Sequence, residues 1–168
     1  SNTMGEFTLG TDGSNHQSLI VKEGGSRFPI MMPVSKPSGG TQELSDSTTQ
    51  TVENPSLIMD GRKIYTFMLK AVPKDVKTCL KINNLTIQEI DFFIFHQASK
   101  YMLESLAAFM KIPNEKLIIS LKETGNTVSS TIPLALNELM KNQDLSGKII
   151  LLSGFGAGLS WGSCVLKF

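Results

Sequence analysis

Residues 90–99 read IDFFIFHQAS and place a histidine directly after a short apolar run. A continuous apolar run of this length is typical of a strand that is covered on both faces. Ser99 is a good helix N-cap residue, so the pattern predicts a helix from there to about Lys111. Its inward side is expected to carry Met102, Leu106, Phe109 and Met110. His96 should therefore lie at the carboxyl end of a buried strand, between two rigid elements.

The segments on either side of this stretch continue an alternation of helices and strands. Asp60 can cap a helix over 61–72, and Pro73 is expected to end that helix and to begin a second one over 73–82. Thr86 and Glu89 have capping-box spacing for one further helical turn.

Further strands are predicted at LIISL (117–121), KIILLS (148–153) and LSWGSCVLKF (159–168). Between the first two, a helix should carry Ile132, Leu136, Leu139 and Met140 on one face. Strand-like stretches also occur near the start, at 6–10 and 18–25. The order predicts an α/β fold with a mixed, mostly parallel sheet of about five strands and helices on both faces.

Composition limits the class of protein. The 168 residues suit one domain, and 40% hydrophobic with 18% charged residues is typical of a soluble globular chain. A net charge of +1 gives no electrostatic reason to expect nucleic acid or a membrane as the main partner. Two cysteines without CxxC spacing favour a reducing, cytoplasmic setting over a disulfide framework or a metal cluster.

Two long stretches need separate interpretation. Residues 149–166 are uncharged, but their central glycines favour two buried strands with a turn over a membrane span. No signal peptide is expected. Residues 36–56 are almost wholly polar, and such an excursion is either functional or mobile.

Three loops are expected at the carboxyl ends of strands, where sheets of this kind bind ligands. They contain His96, Asn126 and the GFGAG segment (154–158). Each has a plain structural reading: a packed histidine, a turn asparagine and a tight hairpin. Their functional reading is a neutral imidazole N–H, an amide donor and backbone N–H groups that approach a substrate closely. Cys79 and Cys164 lie in apolar elements and are not expected to be nucleophiles.

Several motifs together resemble the C-terminal half of β-ketoacyl-acyl-carrier-protein synthase III, in the thiolase-like superfamily. They are MDGRKIYTF…AVP (59–73), IDFFIFHQAS (90–99), TGNTVSSTIPLAL (124–136) and GFGAGLSWGSCVLKF (154–168), with LGTDGS (9–14) at the start. The resemblance implies a single C-terminal thiolase-like domain over 1–168, with 36–56 as its unmatched excursion. The enzyme it implies has two similar halves and condenses an acyl thioester with malonyl-carrier protein.

The resemblance also implies roles for individual residues. His96 and Asn126 match the pair that holds the malonyl thioester carbonyl while CO2 leaves. Gly156, Ala157 and Gly158 match the segment whose backbone contributes to the oxyanion hole, with alanine where glycine is commoner. The thioester or carrier is expected to meet Gln97, Ser99 and Lys100. Ser99 stands where the family usually has asparagine, and Tyr101 stands where a basic residue is usual.

The same resemblance sets the expected partners. The nucleophilic cysteine belongs to an N-terminal half that this chain does not contain, so the chain alone is expected to be inactive. Other expected partners are acyl carrier protein and, in the full-length form, a second copy in a homodimer. The expected thioester substrates are acyl-CoA and malonyl-phosphopantetheine, with no metal and no other cofactor. Alternatives are a stand-alone carrier-binding or scaffolding domain, and a specialised synthase of surface-glycan or secondary metabolism.

Overall fold

The computed structural model describes residues 3–22 and 57–168, so the polar stretch 36–56 lies outside the described residues. The strands are β1 (Thr3–Met4), β2 (Thr8–Thr11), β3 (Leu19–Val21), β4 (Leu57–Met59), β5 (Phe92–Phe95), β6 (Ile149–Gly156) and β7 (Ser160–Lys167). The α-helices are α1 (Gly61–Ile82), α2 (Lys100–Met110) and α3 (Thr131–Asn142). Short 3-10 turns cover Gly13–Ser18, Ile87–Glu89, Asn114–Lys116 and Val128–Ser130.

A five-stranded sheet forms the centre, and it confirms the predicted mixed α/β architecture. Strand β7 is paired antiparallel with β6 on one side and with both β1 and β2 on the other. Strand β5 runs parallel to β6, with Phe93 opposite Leu151 and Phe95 opposite Ser153. Parallel pairing is thus a smaller part of the described sheet than the sequence predicted. Strands β3 and β4 form a separate antiparallel pair.

The predicted strand at LIISL is wrong, and this difference accounts for much of the missing parallel pairing. The segment meets β5 through a single bridge between Phe93 and Leu117 and a bond from Ile118 N to Phe93 O of 3.0 Å. Beyond that point Gln97 replaces the strand partner. Its side-chain amide donates to Ile118 O at 3.2 Å and accepts from Ser120 N at 2.8 Å.

The predicted break at Pro73 is also wrong, because α1 continues through it as one helix to Ile82. Proline inside a helix removes one backbone bond and costs about 3 kcal/mol. Burial offsets this loss, since Pro73 lies within a buried stripe of the helix. The stripe consists of Met68, Val72, Val76, Cys79 and Leu80. Each such side chain contributes about 1.5–3 kcal/mol when it is fully buried.

Helices cover both faces of the sheet, as predicted. Phe93 and Phe95 of β5 point into the core formed with α1 and α2, whereas Ile94 points to α3. This alternation sends His96, the next residue, toward the α3 side.

Two predicted inward residues are instead exposed, Phe109 at 61% and Met140 at 52%. The buried stripe of α2 is Leu103, Leu106 and Ala107, and that of α3 is Thr131, Ala135 and Leu139. Both stripes have helical spacing, but they are rotated from the predicted ones so that small residues face the sheet.

The uncharged run 149–166 forms most of β6 and β7, as predicted. Within the described ranges, no helix combines the length and apolarity that crossing a membrane requires.

Candidate active site

His96 follows β5 directly and is held by bonds on both sides. Its backbone N donates to Ser153 O of β6 at 2.9 Å, which extends the parallel ladder by one residue. Its ring Nδ1 lies 2.8 Å from Thr131 Oγ1 at the start of α3, and the ring meets Phe155 edge-on at 5.4 Å. Burial lowers the pKa of His96, and a backbone bond to Val128 opposes that shift in part. The imidazole is therefore mainly neutral at pH 7.

Asn126 lies in the loop that leads to α3, next to Gly125, whose φ of +62° favours glycine. Its Oδ1 accepts a hydrogen bond from Val128 N at 2.9 Å. This bond uses the amide oxygen, so the NH2 end of Asn126 is the part that can donate to a ligand.

Val128 connects the two predicted residues through its backbone. Its N–H bonds Asn126, and its C=O accepts the Thr131 hydroxyl at 2.9 Å, which in turn contacts His96. Val128 has a φ of +56° and a side chain that is 73% exposed. A β-branched residue in this region is a backbone outlier, and such outliers occur often at functional sites.

The glycine turn reaches the same edge of the sheet. Gly156 ends β6 opposite Ser160, and Ala157 and Gly158 are exposed in the turn before β7. Gly158 has a φ of +134°, and a Cβ there would collide with Ser160 Oγ. Because Phe155 touches the His96 ring, the turn begins beside that ring. The structure thus brings all three predicted loops together.

The three residues expected to meet a thioester or carrier have different surroundings. Gln97 is 1% exposed and binds the backbone of the 118–120 segment and Phe95 O. Ser99 caps α2 by accepting from Met102 N at 3.3 Å. Lys100 is exposed, with its Nζ 3.7 Å from Glu104 Oε1. Gln97 and Ser99 therefore support the site's framework, and contact of any of the three with a substrate stays a prediction.

An aromatic pair lies at the first turns of α1 and α2. Tyr101, which replaces the expected basic residue, stacks on Tyr65 with ring centres 5.7 Å apart. Its side chain is 69% exposed. A carrier phosphate would therefore meet an aromatic surface here instead of a cation.

Both cysteines are buried and free, at positions away from the three loops. Burial raises the pKa of Cys79, and it raises the pKa of Cys164 to about 11. A reactive cysteine needs the opposite shift, which agrees with the prediction that neither is a nucleophile. In residues 3–22 and 57–168, no three His, Cys, Asp or Glu side chains group as metal ligands would.

Thr131 is the member of the site that the sequence did not reveal. It lies five residues after Asn126 and begins α3, where threonine is unremarkable. Its contact with His96 spans 35 positions along the chain. The pairing of the β5 end with the start of α3 was needed to find it.

The comparisons with known proteins agree with this arrangement. Residues 80–168 match the family model of the 3-oxoacyl-[acyl-carrier-protein] synthase III C terminal. The chain is 40% identical over 168 residues to a β-ketoacyl-[acyl-carrier-protein] synthase III of Porphyra umbilicalis, covering 99% of this chain and 48% of the relative.

Two solved structures show the same fold. A 3-oxoacyl-(acyl-carrier-protein) synthase III crystal structure has a TM-score of 0.81 and 36% identity, covering 98% of this chain and 48% of that one. The priming β-ketosynthase of the R1128 polyketide pathway has a TM-score of 0.72 and 26% identity, covering 98% and 45%. The chain therefore spans about half the length of the curated relatives it matches.

Proposed function

The chain belongs to the 3-oxoacyl-[acyl-carrier-protein] synthase III C-terminal family, and from this membership we propose that it is half of an acyltransferase active site. The proposed reaction is the decarboxylative condensation of an acyl thioester with malonyl-carrier protein, in fatty-acid initiation or a related pathway. The observation that carries the proposal is the connection of His96 to Asn126 through Val128 and Thr131, beside the glycine turn.

This arrangement suits the chemistry of decarboxylation. Loss of CO2 places negative charge on the thioester oxygen, and donors fixed beforehand stabilise that charge more than they stabilise the substrate. Asn126 offers an amide that cannot be lost by titration, and His96 offers its Nε2. The Ala157 backbone N–H lies in the turn proposed to serve the oxyanion of acyl transfer.

A partner half is supported by an apolar surface beside the site. A groove of about 470 Å³ is lined in part by Phe7, Leu9, Ile132 and Leu152. Leu9 is 83% exposed and Phe7 is 54% exposed. An apolar face of this kind is typical of an interface. We propose that the N-terminal half covers it and supplies the nucleophilic cysteine to a single domain formed by residues 1–168.

A cationic cleft supports the binding of a phosphate-bearing carrier arm. The cleft has a volume of about 440 Å³ and lies against Leu159, directly after the glycine turn. Its lining includes four basic side chains and one carboxylate, namely Arg62, Lys63, Lys70, Lys74 and Asp12. Such an excess of positive charge raises the local concentration of anionic groups. We propose that the phosphate of phosphopantetheine approaches the site along this cleft.

Two alternatives keep specific tests. A stand-alone carrier-binding domain predicts a stop codon and a true start directly upstream, whereas an in-frame half containing a cysteine supports the enzyme. A specialised synthase is favoured by the structural similarity to a polyketide priming enzyme. A panel of primer thioesters assayed on the assembled enzyme would distinguish that role from fatty-acid initiation.

The central experiment mixes this chain with an N-terminal half, labelled acyl-CoA and malonyl-carrier protein. Ketoacyl product is expected from the mixture and not from the chain alone. Asn126→Ala should lower the rate about 100- to 1000-fold, as loss of one such donor does in other enzymes. Asn137→Ala, an exposed change on α3, is the matched control and should leave the rate unchanged. Product formation by the chain alone would contradict the proposed division of the site.

The assembled protein is proposed to be a cytoplasmic homodimer. The two buried free cysteines are compatible with a reducing compartment, and the dimer follows from the family resemblance. Sedimentation of the full-length protein tests the dimer, since a monomer at micromolar concentration would contradict it.

A further inference from the structure

The surroundings of His96 Nδ1 restrict where the ring carries its proton. Thr131 Oγ1 lies 2.8 Å from Nδ1 and 2.9 Å from Val128 O. A hydroxyl has one proton, and a carbonyl oxygen can only accept. Both bonds form together only if Thr131 donates to Val128 and the ring nitrogen donates to Thr131.

We infer that Thr131, backed by the Val128 carbonyl, is a positioning residue that holds neutral His96 in its Nδ1–H form. This inference rests on the proposed function for its catalytic meaning, but the geometry stands without it. A free neutral histidine prefers the other tautomer, with the proton on Nε2. The site therefore reverses the ordinary preference.

Three further observations support this assignment. Thr131 is 3% exposed, so solvent does not compete effectively for its hydroxyl. The edge-on contact with Phe155 restricts rotation of the ring. The backbone bond to Val128 raises the pKa of His96, which is the effect of an acceptor that favours the protonated ring.

The tautomer changes what His96 can do at the reacting centre. A neutral ring with its proton on Nδ1 presents a lone pair at Nε2, so it accepts a hydrogen bond there. It can donate to the thioester oxygen only after a second proton makes it an imidazolium. The role expected from sequence, donation by a neutral ring, is thereby replaced by donation that depends on protonation.

Nitrogen NMR on this chain tests the inference directly. The chain has two histidines, and His16→Gln leaves His96 as the only imidazole. Long-range proton–nitrogen spectra distinguish a protonated ring nitrogen from a bare one by its chemical shift. Above the pKa of His96, we expect Nδ1 to be protonated and Nε2 bare. A neutral ring protonated on Nε2 would overturn the inference.

Variants at position 131 test the part that Thr131 plays. Thr131→Val removes the hydroxyl at nearly constant volume and should increase the Nε2–H population, whereas Thr131→Ser should restore the original spectrum. Thr127→Val is the matched control, because the buried Thr127 hydroxyl has no hydrogen-bond partner among the described residues. A Thr131→Val spectrum identical to that of the parent would remove Thr131 from this role.

Folding and function are separated from this result. Circular dichroism of each variant shows whether it retains the fold, and Thr131→Ser provides a reading if Thr131→Val does not. Since the spectra need no substrate or partner half, an inactive assembled enzyme would count against the proposed function and would leave the tautomer assignment standing.

Discussion

Gln97 Oε1 accepts a hydrogen bond from Ser120 N at 2.8 Å, although Gln97 lies in the loop that contains His96. Gln97 Nε2 also donates to Phe95 O at 2.8 Å and to Ile118 O at 3.2 Å. One buried side chain thus joins the end of β5 to the segment that precedes Asn126. This link fixes the spacing between the two proposed catalytic loops.

Replacing Gln97 should therefore destabilise the fold. Gln97→Leu leaves several buried backbone groups without partners, and each such group costs about 1–3 kcal/mol. We expect a loss of about 3 kcal/mol in the free energy of unfolding, measured by urea denaturation. Gln88→Leu, on an exposed turn, is the control and should be nearly neutral. Equal stabilities for the two variants would show that Gln97 does not support this region.

Val128 should respond to relief of its backbone conformation. Its φ of +56° costs a non-glycine residue about 1–2 kcal/mol. Val128→Gly is expected to raise the free energy of unfolding by about 1 kcal/mol, because glycine adopts this region readily. Val128→Ala retains a Cβ and should give no such gain. Thermal unfolding of the two variants makes the comparison, and a larger gain for alanine would contradict it.

Local patterns were enough to predict the elements that carry the site. The apolar run at β5, the Ser99 cap and the β6–β7 hairpin follow from local sequence, and the structure contains each of them. The parallel pairing of β5 with β6 then places His96 beside the loop that contains Gly156. These features depend on periodicity and capping, which a single sequence displays.

The remaining differences come from tertiary contacts. LIISL has the composition of a strand, but the amide of Gln97 takes its hydrogen bonds. Pro73 is a helix breaker by propensity, yet the buried stripe along α1 outweighs the lost bond. Thr131 gains its place at the site through a contact 35 residues away along the chain. No local pattern indicates any of these.

The cysteines should be inert in the folded chain. With its pKa raised to about 11, Cys164 has about 0.1% thiolate at pH 8, and its burial further limits access. We expect no rapid reaction with a disulfide reagent under native conditions, and two reactive thiols after unfolding in guanidinium. Ser129→Cys, at an exposed position, is the positive control and should react at once. Rapid labelling of Cys79 or Cys164 in the native chain would reopen the question of a nucleophile here.

The stability of the chain should depend on the protonation of His96. Burial lowers its pKa, so between that pKa and the ordinary value of about 6.5 the unfolded chain binds a proton that the folded chain does not. The stabilisation is therefore complete above about pH 6.5 and decreases as the pH falls, by at most about 1.4 kcal/mol per pH unit.

Urea unfolding between pH 7.5 and 5.5 measures this effect in the His16→Gln background. The parent should lose stability over this range, whereas His96→Gln should show a flatter profile. A parent profile as flat as that of His96→Gln would mean that His96 titrates alike in the folded and unfolded chains.

Decarboxylation by the assembled enzyme should decrease as the pH rises through the pKa of His96. If Thr131 holds the neutral ring in the Nδ1–H form, only the imidazolium can donate from Nε2, and its population falls tenfold per pH unit above the pKa. The assay follows conversion of malonyl- to acetyl-carrier protein, with the cysteine of the partner half replaced so that no thiol titrates. Thr131→Val should flatten the profile, because its ring can carry the proton on Nε2 while neutral. Asn126→Ala is the control and should lower the rate at every pH without changing the shape. A parent rate that stays constant from pH 5.5 to 8.5 would show that neutral His96 donates, and the tautomer would then have no part in catalysis.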